Sequence, residues 1–146
     1  MNQREIEHRD RVLRTYFDGR TWDANSEYTL KRQLIRNSHQ LLPEHPYVIE
    51  EEWEVEPGRT DQGRGDLVFT DGDNCFAIVE VKWIDLSGLG RKGSTRSVSN
   101  RKKRRKVEEQ AVTYARLYAS SANLTPDKKV EAFVFTNEFD RPHLIA

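Results

Sequence analysis

Residues 64–85 read RGDLVFTDGDNCFAIVEVKWID, two strand-forming runs joined by a tight turn. Leu67, Val68 and Phe69 are strand formers, and Asp71, Gly72, Asp73 and Asn74 are hairpin-turn residues. From Cys75 to Ile84 nearly every residue suits a strand covered on both faces. The polar exceptions are Glu80 and Lys82, which the pleat points to the same face about 6–7 Å apart. Asp66 opens the preceding strand of the same hairpin, where it can sit beside them. An Asp and a Glu converging on one point form a hard-oxygen site suited to Mg²⁺. A Lys at its edge can orient a water or stabilise negative charge on a phosphate. The competing reading is a structural ion pair, because charges inside so apolar a strand need a partner or a ligand.

Outward from the hairpin, charge is sharply segregated. The chain carries 24 Lys and Arg against 24 Asp and Glu, so its formal net charge is zero. Yet residues 50–56 hold five carboxylates, and residues 86–107 hold nine cations and no acid. Tyr47, Ile49, Trp53 and Val55 alternate as one face of a strand, with Glu50, Glu52 and Glu54 on the other. That acidic face is expected to be solvent-exposed, protecting an edge strand from unwanted pairing, with a role in metal binding as the lesser alternative. Pro57 to Gly63 reads as a turn-rich loop. Residues 86–100 read as a flexible, basic, Gly/Ser-rich loop containing Arg91, Lys92 and Arg96. Next come Arg101, Lys102, Lys103, Arg104, Arg105 and Lys106. So many neighbouring cations repel one another unless they meet phosphates, acidic protein or a transport receptor.

Helical periodicity marks three further segments. Residues 4–17 place Ile6, Leu13, Tyr16 and Phe17 on one side, with Arg9, Arg11 and Arg14 read as a solvated face rather than as nucleic-acid contacts, and stop at Asp18-Gly19. A second helix starts after Asp23 or Ser26 as N-cap and runs to Leu42, where Pro43 ends it; Leu30, Leu34 and Leu41 form its stripe. The third follows the basic run to about Ser120, with Val107, Ala111, Tyr114 and Tyr118 at helical spacing. Residues 130–136 (VEAFVFT) read as a last buried strand, and 139–146 are uninformative. The chain of 146 residues is expected to form a single domain. Residues 1–20 would be an N-terminal helical extension on an α/β core with a central mixed sheet. The connection from the Glu-x-Lys strand to 130–136 is long enough for a parallel crossover.

Composition bounds the setting. No apolar run reaches the length of a membrane span, and the first residues show no secretory signal. Cys75 is the only cysteine, which excludes an internal disulfide and a Cys-based zinc site. A reducing, intracellular compartment is the expectation, with no membrane partner.

Gly65-Asp66, thirteen further residues, then Glu80-Val81-Lys82 resembles the PD-(D/E)xK nuclease superfamily, with Gly65 where a Pro is usual. Gln110 and Tyr114 match the Gln-x-x-x-Tyr helix motif of its RecB-like branch, which is related to the Holliday-junction resolvases. The element order from residue 24 onward, αβββαβ, is similar to the restriction-endonuclease-like core, a four-stranded mixed sheet flanked by helices. The resemblance implies that Asp66, Glu80 and the backbone carbonyl of Val81 ligate Mg²⁺ or Mn²⁺, and that Lys82 positions the attacking water. It further implies that Gln110 and Tyr114 support substrate or the water network. Glu27, on the first core helix, would approach the metal; its alternative role is a favourable carboxylate at a helix N-terminus. The expected activity is metal-dependent hydrolysis of phosphodiester bonds, in DNA rather than RNA. The cations from Arg91 to Lys106 would bind the phosphate backbone. The basic run would also serve as a nuclear import signal in a eukaryote. A homodimer or accessory protein partner fits the resolvase relatives. The rival reading is a non-catalytic module that keeps the fold to bind nucleic acid or protein.

Overall fold

The computed structural model describes residues 2–56, 59–86, 95–122 and 124–146. Helix α1 spans Gln3–Asp18, α2 Ser26–Arg36 and the short α3 Ser38–Leu41; strands β1 (Tyr47–Glu56), β2 (Arg59–Thr70) and β3 (Cys75–Lys82) follow. Helix α4 (Thr95–Ser121) leads to β4 (Lys129–Thr136) and β5 (His143–Leu144). The strands form one mixed sheet in the order β1-β2-β3-β4-β5. Neighbours are antiparallel except β3 and β4, which run parallel from Cys75↔Lys129 to Lys82↔Thr136, joined by the α4 crossover.

Each face of the sheet has its own core. On one, Val107, Ala111, Ala115 and Tyr118 of α4 cover Trp53, Val55, Val68, Ile78 and Val134. On the other, Leu30, Leu34 and Ile35 of α2 cover Leu67, Phe69, Ala77, Val79 and Phe135. The alternation of Ile78 with Ala77 and Val79 between the two cores is the pleat of β3 written in sequence. Truncating a ring such as Phe69, fully buried, to Ala costs about 3–5 kcal/mol in comparable cores.

Helix α1 straddles the β1 edge, with Ile6 in the first core and Phe17 in the second. Asp10 accepts the Val48 N–H (2.9 Å) and pairs with Arg14 (2.9 Å). Arg14 in turn donates to Ile35 O, Ser38 Oγ and Pro46 O. Arg14 is therefore a structural clasp rather than part of a solvated face. It ties the end of α2 and the chain just before β1 to α1, while Asp10 takes the Val48 N–H of β1 itself.

The hairpin turn forms as its residues require. Asp71 Oδ1 accepts from the N–H groups of Asp73, Asn74 and Cys75 (2.8, 3.1 and 3.0 Å), and Gly72 takes φ +94°.

Other boundaries differ from expectation. The second helix is capped by Asn25, whose side chain accepts from Glu27 and Tyr28 N–H, and it breaks at Asn37 before α3. Residues 59–63 extend β2 rather than forming a loop; Pro57 and Gly58 lie outside the described residues. Thr95 to Asn100 are the first turns of α4, anchored where Asn100 Nδ2 donates to Asp85 O (2.5 Å). The rest of the expected loop, 87–94 with Arg91 and Lys92, lies outside the described residues. The sheet has five strands rather than four, because the C-terminal tail returns as β5. Among the described residues no helix is long and apolar enough to cross a membrane.

Candidate functional site

The site lies where β2 and β3 part. The two strands pair from Thr70↔Phe76 to Leu67↔Val79. Beyond that point side chains take over: Asp66 N–H donates to Glu80 Oε2 (2.9 Å), and Val81 N–H donates to Asp66 Oδ2 (2.7 Å). Each carboxylate thus binds the backbone of the other's strand, which wedges both acids into the fork. Glu80 is only 3% exposed. Burial first, and then the charge of Asp66, push its carboxyl up to about 8, against the pull of the Asp66 N–H and of Lys31. Burial also raises Asp66, opposed by Lys31 and the Val81 N–H and reinforced by the charge of Glu27.

Helix α2 supplies the wall on one side. Lys31 is buried, its Nζ 3.5 Å from Glu51, 3.9 Å from Glu52 and 3.6 Å from Asp66 Oδ1. The Tyr28 hydroxyl donates to Glu51 (3.2 Å), and the Tyr28 ring lies 5.2 Å from the Lys31 ammonium. One turn earlier, Glu27 pairs with Lys82 at 3.4 Å, both side chains about two-fifths exposed. Glu27 is therefore brought to the mouth of the site, and its contact is with Lys82.

Helix α4 closes the other side. The Tyr114 hydroxyl is raised by burial and then by the charges of Glu80 and Asp66. It stands so close over Gly63 (φ +97°) that a Cβ there would lie 2.9 Å from it. Gln110, one turn earlier, is half-buried. No hydrogen bond among the described residues ties it to the carboxylates. A Cβ on Gly65 would overlap the Trp53 indole, which explains physically why neither Pro nor Ala fits before Asp66.

The basic run forms no single stripe, because six successive helical residues go round the helix more than once. Arg101, Lys102, Lys103, Arg105 and Lys106 are exposed. Arg104 is committed to Glu138 through hydrogen bonds of 2.8 and 2.5 Å. Arg96 falls in the first turn of α4, placed by its backbone alone.

Sequence reasoning missed Lys31, Glu51 and Tyr28. A signal for Lys31 existed, since it follows Glu27 by four and sits inside the Leu30/Leu34 stripe. Three consecutive acids at 50–52 cannot all alternate outward, which was the signal for Glu51. The edge-strand expectation for Glu50 also needs correction. It turns toward Arg9 (3.9 Å) and Tyr118, and burial raises its carboxyl.

Among the described residues no group of three or more His, Cys, Asp or Glu is disposed to hold a metal ion. Asp66 and Glu80 nonetheless offer a buried pair of hard-oxygen donors, with the Val81 backbone fixed beside them. Mg²⁺ ordinarily takes one or two carboxylates and keeps several waters, so the pair fits its chemistry without forming an all-protein cage. Compared with known proteins, the chain matches no family model, no curated protein and no solved structure.

Proposed function

We propose that this protein is a Mg²⁺- or Mn²⁺-dependent nuclease of PD-(D/E)xK type with a restriction-endonuclease-like core, acting on DNA. The observation that carries the reading is the reciprocal clamp of Asp66 and Glu80, two carboxylates forced together in a buried fork. Such an arrangement is costly unless a cation shares it. A divalent ion bound there would supply Lewis acidity toward a phosphate oxygen and lower the pKa of a bound water. The chain's own groups do the rest. Asp66 and Glu80 would hold the ion, together with the Val81 carbonyl. Lys82, oriented by Glu27, faces the incoming phosphate at the mouth. Tyr114 Oη, beside both acids, donates a hydrogen bond to substrate or to the attacking water, with Gln110 behind it. Arg101, Lys102, Lys103, Arg105 and Lys106 attract the phosphate backbone.

A second reading, a binding module without catalysis, is favoured by one observation: the ammonium of Lys31 stands 3.6 Å from Asp66. Labelled single-stranded, duplex and branched DNA and RNA, offered with Mg²⁺, Mn²⁺ or EDTA, separate the two. Cleavage that needs metal and disappears in Asp66→Asn supports the nuclease. Retention of nucleic acid with no cleavage under any metal supports the binding module.

A further inference from the structure

Lys31 is a rare residue in this chain: a lysine almost fully withdrawn from water, its side chain 5% exposed, on the buried face of α2 between Leu30 and Leu34. A buried ammonium is costly unless its charge is answered. Here three carboxylates answer it, Glu51 at 3.5 Å, Asp66 at 3.6 Å and Glu52 at 3.9 Å, with the Tyr28 ring beneath. Two of the three come from β1, outside the hairpin that carries Asp66 and Glu80. Lys31 is also the cation that acts on both fork acids, whereas Lys82 pairs with Glu27 instead.

From this placement we propose that Lys31 is the resident counter-ion of the fork, competing with the divalent cation for Asp66. The inference rests on the nuclease reading for the identity of that cation. The physical argument is one of charge and position. Asp66 Oδ2 is held by the Val81 N–H, so Oδ1, the oxygen facing Lys31, is the one left for a metal. An ammonium and a divalent ion cannot both sit against one oxygen without strong repulsion. Glu51 and Glu52 provide the alternative: they can keep Lys31 on their side when Asp66 turns to the metal. In this arrangement Lys31 keeps the metal-free protein folded and sets how much free cation is needed to load the site. It is a positioning residue, acting through Asp66.

The test is calorimetric titration of the full chain with Mn²⁺ in the absence of nucleic acid, alongside melting curves with and without Mn²⁺. Lys31→Met keeps the apolar stem and removes the charge. It should bind Mn²⁺ about tenfold tighter or better, melt lower than the unsubstituted protein without metal, and regain its melting temperature when Mn²⁺ is added. The gain should vanish in Lys31→Met/Asp66→Asn. Should Lys31→Met fold poorly, Lys31→Met/Glu51→Gln keeps the charge balance and is compared with Glu51→Gln, over which it should gain affinity. If the unsubstituted protein binds Mn²⁺ and removing Lys31 leaves affinity unchanged or weaker, the counter-ion role falls while the nuclease reading stands. If only the Lys31 variants bind, the counter-ion role stands and the nuclease reading falls. Binding by none of them overturns both.

Discussion

Strands β3 and β1 both carry carboxylates into the interior, and they do so by opposite means. In β3 the pleat is regular: Ala77, Val79 and Val81 face α2 or lie beneath it, and Ile78 faces α4. The direction of Glu80 is set by that alternation. In β1 the register with β2 slips between Val48 and Glu50 and again between Glu54 and Glu56, and Glu52 adopts φ +48°. The slip puts Glu50 on the Tyr118 side with Ile49, and Glu51 turns the other way, to Lys31 and Tyr28. A regular strand writes the direction of each side chain into its sequence. A bulged strand hands that decision to its neighbours.

The largest effects should follow from changing the acids that β2 and β3 bring into the fork. Asp66→Asn and Glu80→Gln retain an oxygen that can accept the Val81 and Asp66 N–H groups, so the clamp should survive. Cleavage should nevertheless fall by about a thousandfold or more, some 4 kcal/mol of transition-state stabilisation. In Glu80→Gln stability should move the other way. The folded protein holds the Glu80 proton up to about pH 8, and the unfolded chain loses it near the ordinary value of 4.5. In that window the native state binds more protons. The contribution of Glu80 to the stability of the metal-free protein should therefore decline as pH rises from about 4.5 toward 8 and level off above. Glu80→Gln should flatten that decline. Denaturant midpoints measured across the range in EDTA test it, and an unchanged slope would show that Glu80 is not held protonated.

Where β1 meets β2, the strands can approach only because residue 65 is Gly. Trp53 pairs with it across the ladder, and its indole fills the space a Cβ would need. Gly65→Ala should destabilise by about 1–3 kcal/mol through overpacking. Trp53→Leu in the same chain should recover part of the loss if the clash is the cause. Equal melting temperatures for Gly65→Ala and the unsubstituted protein would mean that Trp53 can move aside freely.

Tyr114 distinguishes packing from chemistry on the α4 side. Tyr114→Phe keeps the ring contact with Trp53, whose centroid lies 6.1 Å away, and removes only the hydroxyl. A tenfold fall in cleavage, about 1.4 kcal/mol, with little change in melting temperature is the expected outcome. Full activity in Tyr114→Phe would remove the hydroxyl from the site.

These contrasts also explain what the sequence could reveal. The hairpin, the crossover and the pairing of Asp66 with Glu80 were legible because alternation, turn residues and apolar runs are local. Lys31 was not, because its burial is decided by carboxylates about twenty and thirty-five positions away on β1 and β2. Nor was β5, whose pairing is main-chain: Ile145 N–H to Ala132 O and Ala132 N–H to Ala146 O, both 2.8 Å. Such bonds leave no mark on side-chain pattern. The first turns of α4 looked like loop because Ser and Thr dominate them, while what holds them is the tertiary bond from Asn100 to Asp85.

The smallest effect belongs to the irregular strand itself. Glu52 is exposed and is the one described non-glycine residue with positive φ. A side chain in that left-handed region costs roughly 1–2 kcal/mol, and glycine avoids the cost. Against this, Glu52→Gly removes a carboxylate 3.9 Å from Lys31, a long contact whose Glu partner is 46% exposed and therefore well screened. It also adds backbone freedom to the unfolded chain, worth up to about 1 kcal/mol in the opposite sense. The gain in strain and the two losses nearly cancel, so the melting temperature of Glu52→Gly should lie within a few degrees of the unsubstituted protein. Glu52→Val is the informative companion, because a β-branched side chain at φ +48° meets the full steric penalty with no compensating flexibility. A clear drop for Val with near-neutral Gly would establish that the left-handed residue holds β1 in its irregular path. Equal behaviour of the two would show that β1 can straighten at no cost, and Glu51 would then owe its inward direction to Lys31 and Tyr28.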